Sequence, residues 1–224
     1  MNYRIITDEN KLKEFIEWLP ELGKHEKFYV ALLARRKFAK DCPSVKSDKA
    51  QLKRLITCKD RLFDKIKQME CPIGSYRLKG QDIPQEALAL YINVNPRNLR
   101  AATLRGIGAL AKLVESGGDN YNPHVEMLSQ IQKCASDRRY VVFDFDSTDE
   151  LKLQEVLEII EIETKVIRTR GGFHIFVPKE KVVDITDKMW YKKLIDRPEI
   201  DQAGDLMSPI VGSFHGGHAP YFYQ

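Results

Sequence analysis

The spacing of apolar residues predicts alternating helices and strands through the first half of the chain. Apolar positions recur every three to four residues in ENKLKEFIEWL, which predicts a helix over residues 9–19. The apolar run KFYVALLARR predicts a buried strand over residues 27–36, and a helix fits it nearly as well. Residues 47–69 carry Leu, Ile and Phe at helical spacing and predict two basic helices. ALALYINVNP predicts a strand over residues 87–96, ended by a proline that cannot donate to a sheet ladder.

In the remainder of the chain, predicted helices and strands also follow one another, which predicts an α+β fold. The predicted elements are helices over residues 97–116, 122–136, 149–160 and 186–195 and strands over residues 139–146, 164–170 and 173–177. A Gly-Gly pair at 117–118 stops the first of these helices. The sequence contains no internal repeat or linker. We therefore expect one compact unit, with residues 1–86 forming a basic, mainly helical region packed on residues 87–224.

Composition places the chain among soluble globular proteins. Of its 224 residues, 43% are apolar and 30% are charged, close to the average for that class and unlike disordered chains. No apolar stretch approaches the roughly 20 residues that a membrane helix needs, and MNYRIITDENK lacks a secretory signal pattern. We therefore expect no membrane partner and a cytoplasmic location, in the host cytoplasm if the protein is viral or plasmid-borne.

The four cysteines are interpreted as reduced structural thiols. Cys42, Cys58, Cys71 and Cys134 include no C-x-x-C pair, and the chain is long for a fold stapled by disulfides. A zinc site built from Cys42, Cys58 and Cys71 with a distant histidine stays open as an alternative.

Charge is unevenly distributed along the chain. Residues 1–140 carry 26 Lys and Arg against 17 Asp and Glu, whereas residues 141–224 carry 10 against 15. The basic excess is concentrated between Arg35 and Lys79, with 14 basic against 5 acidic residues. A basic segment beside an acidic one suits a protein that holds a phosphate backbone next to bound cations. An ordinary solvated helix face explains the basic run equally well.

Two aspartates on one predicted strand are the strongest chemical signal. Side chains alternate along VVFDFDS, so Phe143 and Phe145 should enter the core while Asp144 and Asp146 share the opposite face. Their Cα atoms should lie roughly 6.5–7 Å apart, and carboxylates at that distance can converge on one or two divalent cations. The competing interpretation is an acidic cap on the next helix, which explains residues 147–149 but requires no pair inside the strand.

A histidine and two arginines occupy the next predicted strands. IRTRGGFHIFV places His174 in a strand just after Gly171 and Gly172, which would let a ligand approach the backbone closely. Arg168 and Arg170 alternate onto one face immediately upstream. This arrangement favours a cradle for a triphosphate, although a lone strand histidine is more often structural.

The order of these pieces resembles the archaeo-eukaryotic primase–polymerase superfamily. VVFDFD, RGGFHIFV and PEIDQAGD follow the order of that family's acidic strand, histidine strand and hydrophobic-Asp motif. The resemblance implies a two-lobed α+β core with an RRM-like antiparallel catalytic sheet flanked by helices, beside a helical basic N-terminal region. By position it implies that Asp144, Asp146 and Asp201 bind metal and act in catalysis, with Asp205 as the fallback for the third aspartate.

The same resemblance implies the nucleotide contacts. His174 matches the histidine that contacts the incoming triphosphate, and Arg168 or Arg170 would orient the phosphates with it. PIVGSFHGGHAP resembles the stretch that supplies phosphate contacts, here Ser213 and His215. A glycine-rich turn explains that last stretch equally well.

The implied activity is template-directed nucleotidyl transfer. With Mg²⁺ or Mn²⁺, a primase or DNA polymerase of this kind joins nucleoside triphosphates on a single-stranded DNA template, and a helicase or other replication protein is an expected partner. The basic segment would hold the template backbone without reading its sequence. The residues expected to bind nucleic acid are Arg35, Arg36, Lys37, Lys53, Arg54 and Arg97. Asn93 and Asn95, which share one face of a predicted strand, are further candidates for contacts to template or nucleotide, and an asparagine turn before a helix explains them equally well.

Two other functions stay open. A metal-dependent nuclease or rolling-circle replication initiator would use a related small sheet, but such initiators usually pair two histidines where FHIF has one. A non-catalytic nucleic-acid-binding accessory protein would carry a decayed core, whereas the acidic pair, the histidine and the third aspartate are intact here.

Overall fold

Two five-stranded antiparallel sheets, one two-stranded sheet (Arg77–Leu78 with Gln81–Asp82) and the helices around them make up the computed structural model, which describes residues 1–117 and 121–223. The α-helices in these ranges are Glu9–Trp18 (α1), Leu62–Lys67 (α2), Leu99–Ser116 (α3), Pro123–Lys133 (α4), Glu150–Ile160 (α5) and Trp190–Ile195 (α6). The strands are Glu26–Ala34 (β1), Ala50–Thr57 (β2), Arg77–Leu78 (β3), Gln81–Asp82 (β4), Leu88–Asn93 (β5), Arg97–Asn98 (β6), Tyr140–Phe145 (β7), Lys165–Arg168 (β8), Phe173–Pro178 (β9), Ile200–Gly204 (β10), Met207–Pro209 (β11) and Tyr221–Tyr223 (β12). The fold is therefore α+β, as the apolar pattern predicts. None of the helices in the described ranges is long and apolar enough to cross a membrane.

Sheet 1 joins the N-terminal region to the rest of the chain. Its strands run in the order β11-β5-β1-β2, with β6 paired to the start of β1, and every pairing is antiparallel. Two of these strands, β1 and β2, come from residues 1–86, while β5 and β11 come from residues 87–224. The expectation of a mainly helical N-terminal region is wrong, because its longest stretches after α1 are strands built into the sheet.

The prediction of two basic helices over residues 47–69 fails in its first half. That half forms β2, and only the short α2 is helical. The register between β1 and β2 shifts between Leu32 and Leu33, which leaves Leu52 of β2 as an extra residue in a bulge. The extra residue breaks the period of two along β2, so its apolar side chains fall at helix-like spacing.

Sheet 2 contains the strands that carry the sequence motifs. Its order is β10-β7-β9-β8-β12, again with antiparallel pairing throughout. One face carries Phe143 and Phe145, which are fully buried in a core shared with α5 and α6. The other face carries Val142 and Phe176, which pack in the core shared with sheet 1. The alternation predicted for VVFDFDS is thus confirmed.

Helices α3 and α4 pack on each other. Gly106 permits their close approach, because a Cβ at this position would collide with the side chain of Met127. Helix α3 ends at Gly117, which adopts the left-handed conformation (φ 57°) that favours glycine. This agrees with the predicted glycine stop, although its second residue, Gly118, lies outside the described residues.

Candidate active site

A cleft of about 910 Å³ opens between the two sheets. Its lining comes from both sheets, from the segment after β1 and from the end of α4. The three predicted metal-binding aspartates and the predicted histidine all line it, although they come from three separate segments of the chain: Asp144, Asp146, His174 and Asp201. The fold therefore brings residues from distant parts of the chain into one cavity.

The three aspartates lie on neighbouring strands. β7 supplies Asp144, Asp146 directly follows its last residue, and β10 next to it supplies Asp201. The register between these strands shifts at Asp201, so this residue sits in a β-bulge just before Gln202, which pairs with Asp144. Bulges are a common way to re-aim one side chain of a strand. The amide of Asp146 donates to the carbonyl oxygen of Glu199 at 2.8 Å, which holds the end of β7 against the start of β10.

The charges of the aspartates oppose one another. The pKa of Asp144 is raised from its usual 3.8 to about 6, first by burial and then by the negative charges of Asp146 and Asp201. Lys37 and Arg35 act in the opposite direction. A divalent cation among these carboxylates would relieve the repulsion that raises this pKa.

His174 faces Asp144 from the other side of β7. The two residues are paired across β9 and β7, and Nε2 of His174 lies 3.4 Å from Oδ1 of Asp144. Nδ1 lies 3.1 Å from Oγ of Ser208, a fully buried residue on β11 of sheet 1. Burial and the charges of Arg35 and Lys37 lower the pKa of His174 to about 4, so the ring is neutral at pH 7. When the neutral ring carries its proton on Nε2 and presents it to the carboxylate, Nδ1 accepts a hydrogen bond from the Ser208 hydroxyl.

Basic side chains line much of the remaining cleft surface. They are Arg35, Lys37, Lys49, Lys133, Arg138 and Arg170. Within residues 1–117 and 121–223, none of the six forms a salt bridge. Arg35 and Arg170 lie over the Phe38 ring, at 5.7 and 5.2 Å from its centre. The cleft therefore combines clustered carboxylates with basic side chains whose positive charge no carboxylate of the described residues neutralises through a salt bridge.

Arg168 does not line this cleft, contrary to the role expected for it. It pairs with Phe173 across β8 and β9, so it lies on the face of sheet 2 that turns away from His174. Its guanidinium donates to the carbonyl oxygen of Gly172 at 3.0 Å and lies over the Phe173 ring at 4.5 Å. Of the two predicted arginines, only Arg170 lines the cleft, where it can contact a ligand.

The glycine pair also differs from its predicted use. A Cβ at Gly172 would collide with the backbone oxygen of Phe145, so this glycine is required for close packing of the chain on itself. A Cβ at Gly171 would lie 3.3 Å from Oδ1 of Asp146, and this residue does line the cleft. Only Gly171 leaves room for a ligand.

The glycine-rich C-terminal stretch contributes one of its two predicted residues. Ser213 is fully buried, and its hydroxyl donates to the carbonyl oxygen of Ile210 at 2.7 Å, so it stabilises a turn outside the cleft lining. His215 does line the cleft. Its Nε2 lies 3.0 Å from the hydroxyl oxygen of Tyr91, and that oxygen accepts a hydrogen bond from Arg35. Burial, with the nearby charges of Arg35 and Lys37, lowers the pKa of His215 well below its usual value.

Arg97 is a structural residue and not a surface contact for nucleic acid. It is almost fully buried and forms an ion pair with Asp205, with Nη2 2.6 Å from Oδ1. It also donates to the carbonyl oxygens of Asn95 and Gln132. Asp205 lines the cleft but is committed to this pair, which makes it a poor substitute for Asp201 as a metal ligand.

The other residues predicted to bind nucleic acid lie in and beside the cleft. Arg35 and Lys37 line it, whereas Arg36 and Lys53 are exposed outside its lining and Arg54 is half-buried on β2. Sequence reasoning missed Tyr91, Ser208, Lys49, Lys133 and Arg138, because no motif marks them and only the pairing of the two sheets brings them to the site.

The donor set suits a hard divalent cation. Three carboxylates on adjacent strands offer the oxygen ligands that Mg²⁺ and Mn²⁺ prefer. Among the described residues, no group of three or more His, Cys, Asp or Glu side chains is already closed around one point that could hold a metal ion. Ion binding therefore requires the aspartate side chains to converge. The four cysteines are free thiols and none lines the cleft.

Comparison of the chain with protein-family models, curated proteins and solved structures finds no match. The functional argument therefore rests on the geometry and chemistry of the cleft.

Proposed function

We propose that this chain is a template-directed nucleotidyltransferase of the primase–polymerase type. One observation carries the proposal: Asp144, Asp146 and Asp201 share a cleft with His174 and with six cations that form no salt bridge within the described residues. A nucleoside triphosphate enters such a site with divalent cations, so it needs carboxylates for the cations and basic groups for its phosphates. The cleft offers both within one cavity.

The aspartates would hold and orient the cations. Mg²⁺ or Mn²⁺ bound there supplies a lowered pKa for the attacking 3′-hydroxyl and neutralises the triphosphate charge. Asp144 lies on β7 between Phe143 and Phe145, which are fully buried, and Asp146 directly follows Phe145, so core packing fixes the backbone of both aspartates. The bulge at Asp201 directs a third carboxylate toward the same space.

His174 and the basic residues would bind the phosphates. The neutral ring of His174, held by Ser208, can donate from Nε2 to a phosphate oxygen once Asp144 turns to a cation. Arg35, Lys37 and Arg170 would stabilise the negative charge that collects on the departing pyrophosphate. This assigns the triphosphate to the part of the cleft around Phe38.

Template binding is assigned to the basic residues that continue from the cleft over β2. Lys49 and Gln51 line the cleft, and Lys53 is exposed two residues further along the same strand. Lysine and arginine bind the phosphate backbone without reading bases, which suits a single-stranded DNA template of any sequence.

The proposal is tested by nucleotide incorporation on a single-stranded DNA template. Ribo- and deoxyribonucleoside triphosphates are supplied separately, with Mg²⁺ or Mn²⁺, with and without a primer. We expect products of defined length from the wild type and a loss of at least about 100-fold in Asp146→Asn, because a metal ligand contributes several kcal/mol to the transition state. The matched control is Asp184→Asn, which changes an exposed aspartate outside the cleft and should retain activity.

Two results would contradict the proposal. Cleavage of labelled DNA by the wild type without nucleotides would indicate a nuclease. Salt-sensitive DNA binding that ignores both nucleotides and divalent cations, with no incorporation, would indicate a non-catalytic binding protein.

A further inference from the structure

The floor of the cleft contains a buried asparagine whose carboxamide oxygen has no partner. Asn93 ends the central strand β5 of sheet 1, is 3% exposed and lines the cleft. Its Oδ1 is buried and accepts no hydrogen bond from any described residue. A buried acceptor without a donor costs free energy, so such groups are rare in folded proteins and point to a ligand or bound water.

Asn95 shows what a structural asparagine looks like in the same segment. Its Oδ1 accepts from the amides of Arg139 and Tyr140 at 2.8 and 2.9 Å. Its Nδ2 donates to the carbonyl oxygen of Tyr140 at 3.0 Å and to Asp205 at 3.1 Å. Two residues away, the Asn93 side chain makes no comparable set of bonds to any part of the chain that the structure describes, so those contacts do not account for its polarity.

The surroundings of Asn93 favour a nucleoside over a phosphate. Its neighbour across the strand pair is Met207, whose sulfur lies 3.3 Å from Nε2 of Gln132. The preceding residue on the same face, Tyr91, is bonded to Arg35 and His215 at the part of the cleft assigned to phosphates. Ionised phosphate oxygens only accept hydrogen bonds, so they cannot satisfy the oxygen of Asn93.

A sugar hydroxyl can form hydrogen bonds with both polar groups of the Asn93 carboxamide. It can donate to Oδ1 and accept from Nδ2, and it is small enough to reach a side chain that is almost fully buried. A site built to bond a hydroxyl discriminates against the analogue that lacks it, because its own polar group is then left unpaired.

We propose that Asn93 binds the hydroxyl edge of the ribose of the incoming nucleotide and is a specificity-determining residue of the cleft. The proposal rests on the proposed function, since it takes a nucleoside triphosphate as the ligand. The phosphates lie toward Arg35 and Arg170, the cations lie against the aspartates, and the sugar lies over the end of β5.

The first test compares the thermal stability of two alanine variants in the absence of ligand. Asn93→Ala should keep the melting temperature within about 2 °C of the wild type, because it removes a polar group with no protein partner. Asn95→Ala should lower it by about 5 °C or more, because several buried hydrogen bonds are lost. An equal loss in both variants would assign Asn93 a structural role and overturn the proposal.

The second test measures binding of ATP, 2′-deoxy-ATP and 3′-deoxy-ATP with Mg²⁺ to the wild type and to Asn93→Ala. Removing the contacted hydroxyl should weaken wild-type binding about 10-fold, and Asn93→Ala should weaken ATP binding by a similar factor. The variant should no longer distinguish ATP from the analogue that lacks that hydroxyl. The same pattern should hold with the guanine, cytosine and uracil nucleotides.

The outcomes separate this proposal from the proposed function. Equal weakening of all three sugars in Asn93→Ala, or weakening confined to one base, would overturn the sugar contact while leaving the polymerase assignment intact. If Asn93→Ala loses the discrimination against the analogue that lacks the hydroxyl, but the wild type incorporates no nucleotide on a template, the sugar contact is supported and the polymerase assignment is wrong. A wild type that binds no nucleoside triphosphate would overturn both.

Discussion

Asp144 occupies a position where ionisation opposes folding. Burial and the neighbouring aspartates raise its pKa to about 6, above the usual 3.8 that it regains in the unfolded chain. Between these two values the folded protein binds the additional proton, so stability falls as the pH rises through this window. A carboxyl group whose ionisation lowers the stability of the fold is typical of a functional site.

This predicts that Asp144→Asn is more stable than the wild type at pH 7–8 when divalent cations are removed by a chelator. The difference in melting temperature should shrink as the pH falls below about 6 and vanish only below 3.8, where the wild-type carboxyl becomes protonated in the unfolded chain as well as in the folded protein. Melting curves across this pH range provide the measurement, with the exposed Asp184→Asn as the control. An unchanged or lower melting temperature of Asp144→Asn at pH 8 would mean that neither burial nor the neighbouring aspartates oppose the ionisation of Asp144.

Residue types and their alternation could be inferred from the sequence, but their partners could not. The period of two along the predicted strand correctly placed Asp144 and Phe143 on opposite faces of the sheet. Arg97 and Ser213 look like exposed polar candidates in the sequence, yet the fold buries both with internal partners. The partner of Arg97, Asp205, is recognised only when the sheets are assembled, because no local pattern encodes a contact between residues 108 positions apart. The partner of Ser213, Ile210, lies three residues away in a turn that the glycine-rich sequence allows but does not specify.

At the scale of secondary-structure elements, the turn between β8 and β9 positions the histidine strand against the end of β7. Gly172 packs so closely on Phe145 that a side chain cannot fit, while its neighbour Gly171 faces the cleft. Gly172 is therefore required by backbone packing, whereas Gly171 leaves space in the cleft. Substitution by alanine separates them.

We expect Gly172→Ala to lower the free energy of unfolding by about 2 kcal/mol or more, because its Cβ meets backbone that cannot move without disturbing β7. Gly171→Ala should cost less than about 1 kcal/mol, because its Cβ would lie at 3.3 Å from one movable carboxylate oxygen of Asp146. Denaturant unfolding of both variants gives the comparison. Similar losses in the two variants would show that the turn is not packed as described.

Element boundaries were predictable where one periodicity dominates. The helices α1, α3, α4 and α5 and the strands β5, β7 and β9 all lie within or close to their predicted ranges. β2 was not predictable, because the bulge at Leu52 replaces the alternation of a strand with a spacing that resembles a helix. Such an irregularity becomes visible only once the partner strand is known.

At the scale of the whole molecule, the cleft exists because two sheets from different parts of the chain meet. β11 follows β10 after two residues and carries the chain from sheet 2 to sheet 1. Ser208 on β11 then reaches His174 on β9, so one hydrogen bond links the two walls. The sequence indicated an acidic sheet and a basic N-terminal region, but not that strands of that region form the opposite wall.

The central claim is that Asp144, Asp146 and Asp201 converge on divalent cations in this cleft. Its most direct test is anomalous diffraction from crystals grown with Mn²⁺ and a non-hydrolysable nucleoside triphosphate analogue. We expect at least one Mn²⁺ peak bridging carboxylate oxygens of these aspartates and the phosphates, at about 2.2 Å from its oxygen ligands. A nucleotide bound elsewhere, or Mn²⁺ held by other residues while the three carboxylates stay apart, would contradict the account.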